Sequence, residues 1–148
     1  MKLYYKDGKL KYEGEGKNAQ PHGCGIGYWE DGITIWYEGY FIEGKPEGKG
    51  KFYYRSGQIR YDGECDRDLQ YSGEGTEYYE NGHVKFTGTF RKSPHFFYGA
   101  RLYVKGKLYY KNGNLLYEGT FKGDKNYEFN EGKEYLENGG IKVHDGLG

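Results

Sequence analysis

Alanine, methionine and proline are scarce in this chain of 148 residues, which has two alanines, one methionine and three prolines. Glycine is frequent, at 27 residues, and no segment places helix formers in amphipathic phase, so long helices are not expected. No apolar run after Met1 is long enough for a signal peptide or a membrane span. We therefore expect a cytoplasmic, all-β protein.

The sequence also has no net charge and no recognisable catalytic or metal-binding motif. Lysine plus arginine equals aspartate plus glutamate, at 22 each, so the formal net charge is zero and nucleic acid is not an expected partner. The two cysteines give no disulfide framework, and the four histidines lie outside metal-ligand spacing. No nucleophile motif is present. We expect no enzyme activity, no metal and no cofactor.

Glycine and the 19 tyrosines instead recur in a fixed order. An aromatic pair is followed, one residue later, by a turn dipeptide; an aromatic then precedes a glycine by two residues, and Gly-x-Gly closes most units. In the third unit these motifs are Tyr53-Tyr54, Ser56-Gly57, Tyr61-Asp62-Gly63 and Gly73-Glu74-Gly75. Two aromatic or β-branched runs around a two-residue turn predict a β-hairpin.

The hairpin recurs about every 24 residues, which is the spacing of repeat proteins. The units are about 1–27, 28–52, 53–77, 78–108 and 109–134, with 135–148 as a C-terminal cap. One hairpin buries too little apolar surface to offset the backbone entropy of ordering it, so neighbouring units must stack. The sequence therefore predicts a single domain, 1–148, formed by an elongated, twisted, single-layer antiparallel sheet of about six tandem hairpins.

This motif order resembles the MORN repeat over nearly the whole chain. The form with an aromatic pair, Asn112-Gly113 and Tyr117-Glu118-Gly119-x-Phe121 is most similar to bacterial MORN variants grouped as antitoxin-type proteins. The resemblance implies a non-catalytic protein-binding module, such as an antitoxin, immunity or inhibitor protein that occludes a toxin, effector or nuclease-type partner. Two alternatives remain: peripheral binding to anionic membrane lipids, and a scaffold that forms homodimers through its sheet edges.

One unit departs from the repeat by an insert, residues 91–103, which adds about seven residues between Phe90 and Tyr109. The insert is basic and aromatic, as binding hot spots are, and loops on rigid scaffolds commonly carry function. Its rings alternatively fold back to cap the sheet. The candidate partner-binding residues in the insert are Arg91, Lys92, His95, Phe96, Phe97, Tyr98, Arg101 and Tyr103.

A second departure lies in the second unit, where one extra residue separates Gly32 from Gly39. The extra residue predicts a bulge or a shifted turn. With that shift, Trp36 takes the position of Lys11, Arg60 and Lys85 in other units, which we expect to face solvent. Trp36 is therefore either a rim residue or a further partner contact.

The remaining candidates are acids and thiols. Asp62, Glu64, Asp66 and Asp68 alternate along the chain and are expected to share a face. They form a cation site, a docking surface for a basic partner, or a solvated strand face. The solvated strand face is favoured because no calcium-loop motif accompanies these acids. Cys24 is expected to be exposed, and Cys65, in the position of Phe41, to be a small core residue.

Overall fold

A computed structural model describes residues 1–92, 102–122 and 128–142. Eleven strands form one antiparallel sheet in which every strand pairs with its neighbours in sequence, and the described residues include no helix. The predicted all-β hairpin array is thus confirmed. The strands are β1 (Lys2–Tyr4), β2 (Leu10–Lys17), β3 (Gln20–Tyr28), β4 (Ile35–Ile42), β5 (Lys45–Tyr53), β6 (Ile59–Cys65), β7 (Tyr71–Tyr78), β8 (Val84–Arg91), β9 (Leu102–Tyr109), β10 (Leu115–Phe121) and β11 (Phe129–Glu134).

The sixth hairpin continues past β11 as an isolated bridge between Tyr135 and Ile141. Residues 143–148, the rest of the expected cap, lie outside the described residues. Within the described ranges, the structure contains no helix that is long and apolar enough to cross a bilayer.

The turns follow the predicted chemistry. In the third unit, the amide of Tyr54 donates to the carbonyl of Gln58 at 2.8 Å, and Gly57 takes a φ of 94° that L side chains rarely adopt. In the second unit, the Trp29 amide reaches one residue further, to Thr34. The extra residue therefore lengthens the turn, which leaves Ile33 81% exposed at its tip.

A row of glycines crosses the sheet in register, one on each strand from β2 to β11. Its members are Gly14, Gly25, Gly39, Gly50, Gly63, Gly75, Gly88, Gly106, Gly119 and Gly132. Aromatic rings lie directly over this row; a Cβ on Gly50, for example, would stand 2.2 Å from the hydroxyl oxygen of Tyr37. Glycine is required here because the rings and the backbone of the facing strand occupy the space of a side chain.

The rings over the glycines form the centre of what we call the core face. Its central aromatics are Tyr12, Tyr37, Tyr61, Phe86 and Tyr117, all at most 2% exposed. Each of the four tyrosine hydroxyls donates to the carbonyl of the residue three positions later. Each central tyrosine therefore has its hydroxyl satisfied while its ring carbons stay buried.

A second ring stacks on the central one in the later units. The centroids of Tyr61 and Tyr71 lie 3.6 Å apart, and those of Tyr117 and Phe129 lie 4.0 Å apart. In the first two units the corresponding positions hold Pro21 and Pro46. The core face is therefore less completely filled with rings at its N-terminal end.

A β-bulge precedes every central aromatic. In the third unit, Tyr53 pairs with Ile59 and Phe52 pairs with Tyr61, so Arg60 has no partner of its own. The same shift leaves out one residue in each of the other units, namely Lys11, Trp36, Lys85 and Leu116. A bulge of this kind redirects a side chain relative to strict alternation.

Candidate functional site

The two insert residues at the end of β8 are exposed. Lys92 Nζ lies 2.9 Å from Asp66 Oδ2, in the connection after β6. Partial burial acts to raise the pKa of Asp66, but Lys92 and the amides of Gln70 and Asp68 outweigh it, and the pKa is held below its usual value. The five predicted contacts that lie outside the described residues are His95, Phe96, Phe97, Tyr98 and Arg101.

Tyr103 does not lie on the surface, contrary to the prediction for the insert. It is 1% exposed, and its ring stacks on Phe86 at 3.9 Å. Its hydroxyl donates to Oε1 of the buried Glu77 at 2.8 Å. The insert returns to the repeat earlier than expected, because Tyr103 is the stacking ring of the fourth unit.

Trp36 also differs from its prediction. It is the bulge residue of the second unit, and the bulge turns its side chain onto the core face, where it packs partly buried against the core. Its ring lies over Gly27, and it makes edge contacts with Trp29 and Phe52 at 6.3 and 6.0 Å. The expectation of a solvent-facing position is therefore wrong.

The same bulge position holds a cation over a tyrosine ring in three other units. Lys11 Nζ lies 5.6 Å from the centroid of Tyr5, and the guanidinium of Arg60 lies 5.8 Å from that of Tyr54. Lys85 repeats the contact in the fourth unit. The second unit replaces both partners, the cation and the tyrosine, with tryptophan.

The tyrosines of this series also connect consecutive units. Tyr5, Tyr54, Tyr79 and Tyr110 each donate a hydroxyl to the backbone carbonyl at the end of the next hairpin's first strand, at 2.5 to 2.7 Å. Trp29 occupies the same position without a hydroxyl. Its indole Nε1 is buried and has no hydrogen-bond acceptor among the described residues, which typically costs about 1–3 kcal/mol.

Trp29 is held by other contacts. The guanidinium of Arg55 lies 4.5 Å from the centroid of the indole, a favourable cation–π distance. Both terminal nitrogens of Arg55 donate to the Glu30 carboxylate, at 2.8 and 2.9 Å. The indole is thus fixed in place, although its own polar atom is unsatisfied.

A groove of about 460 Å³ lies beside the two tryptophans on the core face. We call it the tryptophan groove. Its walls include Leu3, Tyr12, Trp29, Trp36, Pro21 and Phe41, and Lys11 and Glu30 stand on its rim. It forms because Gly27 occupies the place where the matching strands of other units carry Leu3, Phe52, Glu77 and Leu108.

The alternating acids do not build a cation site. Asp66 and Asp68 lie in a turn beyond β6 and do not continue its face. Across the part of the chain that the structure describes, no group of three His, Cys, Asp or Glu side chains is arranged to hold a metal ion.

The thiols lie where the sequence predicts. Cys24 is exposed, and Cys65 is buried in the core as expected. Burial above all, with Asp66 and Glu47 adding to it, raises the pKa of the Cys65 thiol to about 12. Such a thiol is protonated and unreactive at neutral pH.

Trp29 was missed by the sequence analysis, although a signal for it exists. Among the aromatic residues that come second in each pair before a turn, Trp29 is the only one without a hydroxyl, as alignment of the units on their turns shows. Gly27 carries a similar signal, since it breaks a series of larger residues. Neither departure points to a groove until the register of β3 and β4 brings them together.

The architecture defines a class of protein: a tandem-repeat protein built by stacking one β-hairpin unit along a single sheet. Comparison with family models identifies the unit. MORN repeats match residues 12–34 and 37–59, and the MORN repeat variant matches residues 1–18, 71–92 and 103–122. These segments cover about two thirds of the chain, which therefore belongs to the MORN-repeat proteins.

MORN repeats are non-catalytic modules that generally bind proteins or membranes. A search of curated proteins found no match to this chain.

Proposed function

We propose that this protein is a protein-binding module and that it contacts its partner through the tryptophan groove. One observation carries the proposal: the second unit replaces the cation–tyrosine pairing of three other units with two tryptophans, and one of them keeps a buried donor that has no acceptor among the described residues. Positions where a sequence breaks its own structural rules are expected to be functional.

The chemistry of the groove supports protein recognition. Tryptophan, tyrosine and arginine are the residues most enriched at binding hot spots, because they present a large rigid surface with a polar edge. The tryptophan groove contains Trp29 and Trp36, with Tyr5 beside them and Arg55 behind Trp29. Trp36 lies on β4, Arg55 packs on Trp29, and Tyr5 donates its hydroxyl to the Tyr28 carbonyl, so little ordering is needed when a partner docks.

The resemblance to antitoxin-type MORN variants supports a finer proposal about the partner. The bound protein is a toxin or effector, and this chain inhibits it by covering its working surface. The exposed Arg91 and Lys92, with the predicted contacts His95, Phe96, Phe97, Tyr98 and Arg101, would extend the interface.

The test is affinity capture followed by binding measurements with the purified protein that is captured. Trp29→Tyr/Trp36→Lys gives the second unit the residues of its neighbours, so it is expected to fold and to lose the partner. Arg60→Lys, at the same bulge position in the third unit, is the matched control and should retain it. Absence of any specific partner, or equal binding by the double variant, would contradict the proposal.

A separate arm tests the insert with the triple variant Arg91→Ala/Phe97→Ala/Arg101→Ala. If the insert extends the interface, this variant binds the purified partner more weakly while the tryptophan groove stays intact. If the partner is a toxin, addition of the wild-type chain inhibits its activity in proportion to binding. Full toxin activity in the saturated complex would refute the inhibitor proposal and leave the binding module unaffected.

A further inference from the structure

Resting on the proposed function, we infer that the tryptophan groove recognises an acidic, apolar peptide segment of its partner. A large apolar side chain of that segment enters the groove beside Trp36, and a neighbouring carboxylate of the segment meets Lys11. The inference follows from what the groove lacks relative to the other units, and from the sign of the polar groups that it offers.

The apolar side chain of the ligand is inferred from the residues that pair with one another on the core face. Across β1 to β5 these are Leu3, Tyr12, Gly27, Tyr37 and Phe52, so a side chain is missing only at Gly27. The ring of Trp36 covers part of the gap, with its Cε3 atom 3.0 Å from the position of a Cβ on Gly27. The volume that remains is walled by Leu3, Tyr12 and Phe41, and a large apolar side chain complements those walls.

The acidic character of the ligand is inferred from the charged groups at the rim of the groove. Lys11 makes no ion pair with any acid in the described part of the chain. Glu30, the acid on the same rim, is already held by both terminal nitrogens of Arg55. Of the two charged side chains that line the groove, Lys11 is therefore the one without an ion-pair partner among the described residues.

The hydrogen-bonding side chains of the groove do not change this conclusion. Trp29 Nε1 has no acceptor among the described residues, but the atom is buried and is therefore not offered to a ligand. The hydroxyls of Tyr5 and Tyr12 already donate to the backbone carbonyls of Tyr28 and Glu15. A ligand that brings a carboxylate to Lys11, next to an apolar side chain, is complementary to this site.

Three synthetic peptides test the inference: a capped hexapeptide that alternates phenylalanine with aspartate, its counterpart with lysine in place of aspartate, and its counterpart with alanine in place of phenylalanine. Trp29 and Trp36 are the only tryptophans in the chain, so tryptophan emission, excited selectively over the 19 tyrosines, reports on this groove. We expect the first peptide to bind about tenfold more tightly than either counterpart. Binding by calorimetry should agree.

Variants of the chain complete the test. Lys11→Ala should remove the preference for aspartate over lysine, whereas Lys11→Arg should keep it and Lys85→Ala, at the matching position in the fourth unit, should leave it unchanged. Trp29→Tyr/Trp36→Lys should abolish binding in calorimetry. Equal binding of the aspartate and lysine peptides, absence of binding by all three, or a fluorescence change only with vesicles of anionic lipid would overturn the inference.

Failure of this inference is distinguishable from failure of the proposed function. If the wild-type chain retains a purified protein partner but shows no preference among the peptides, the inferred ligand chemistry is wrong and the protein-binding function stands. If no protein partner is found, the proposed function itself fails.

Discussion

Replacing Gly50 with alanine tests the central feature of the fold, the aromatic rings that lie over the glycine row. The new Cβ would stand 2.2 Å from Tyr37 Oη and 2.4 Å from its Cε1 and Cζ atoms. Gly50 does not have a positive φ, so the substitution adds a steric collision without backbone strain. Tyr37 must move, and it is fully buried between Phe41 and Phe52.

The magnitude follows from three contributions. Overpacking of a filled core typically costs about 1–3 kcal/mol. Displacement of the Tyr37 hydroxyl from the Tyr40 carbonyl, now 3.0 Å away, adds about 1 kcal/mol. The smaller entropy of the unfolded alanine chain offsets about 0.5–1 kcal/mol. We expect Gly50→Ala to lower the free energy of unfolding by about 1–3.5 kcal/mol.

Urea denaturation at constant m-value measures this change, and a double-mutant cycle identifies its cause. Tyr37→Leu removes all three of the atoms that approach the new Cβ. In the Tyr37→Leu background, Gly50→Ala should lower the free energy of unfolding by less than about 0.5 kcal/mol. An equal cost in both backgrounds would refute the steric explanation.

Three further predictions concern single contacts. Tyr110→Phe removes the hydroxyl bond to the next unit and should cost about 1 kcal/mol by urea denaturation, without changing the strand content seen by circular dichroism. Tyr103→Phe removes a donor from the buried Glu77 carboxylate and should cost about 1–3 kcal/mol in the same assay. Above pH 9 the Cys65 thiol ionises in the unfolded chain while the folded chain keeps it protonated to about pH 12, so stability should fall as pH rises, and less steeply in Cys65→Ala.

Each of these predictions has a clear contrary result. Wild-type stability of Tyr110→Phe would mean that the hydroxyl bond contributes nothing net. A stable Tyr103→Phe variant would mean that Glu77 finds an equivalent donor. Parallel pH profiles for the wild type and Cys65→Ala would show that Cys65 ionises equally in both states.

The periodic part of the fold was predictable because it depends on local chemistry. Turn dipeptides such as Asn81-Gly82 specify where hairpins reverse, and the spacing of the aromatics gives the unit length. The placement of Cys65 in the core followed from its position in the series, and the structure confirms it.

The site could not be predicted to the same degree, because it depends on register. A bulge changes which face a residue occupies, so Trp36 turned from an expected solvent position onto the core face. Tyr103 was assigned to the insert because counting along the chain does not show where an insert ends. Its stacking on Phe86 is a contact between different strands.

The hydroxyls of Tyr5, Tyr54, Tyr79 and Tyr110 tie consecutive hairpins together at the end of the sheet that carries the tight turns. The links between hairpins run along the opposite end, and they differ in length, from residues 18–19 between β2 and β3 to residues 92–101 between β8 and β9. Variation in length is therefore compatible with an unchanged spacing of the strands. A foreign segment grafted between β8 and β9 would leave the spacing of the strands unchanged. The end of the sheet that carries these links is therefore the one where new sequences can be inserted.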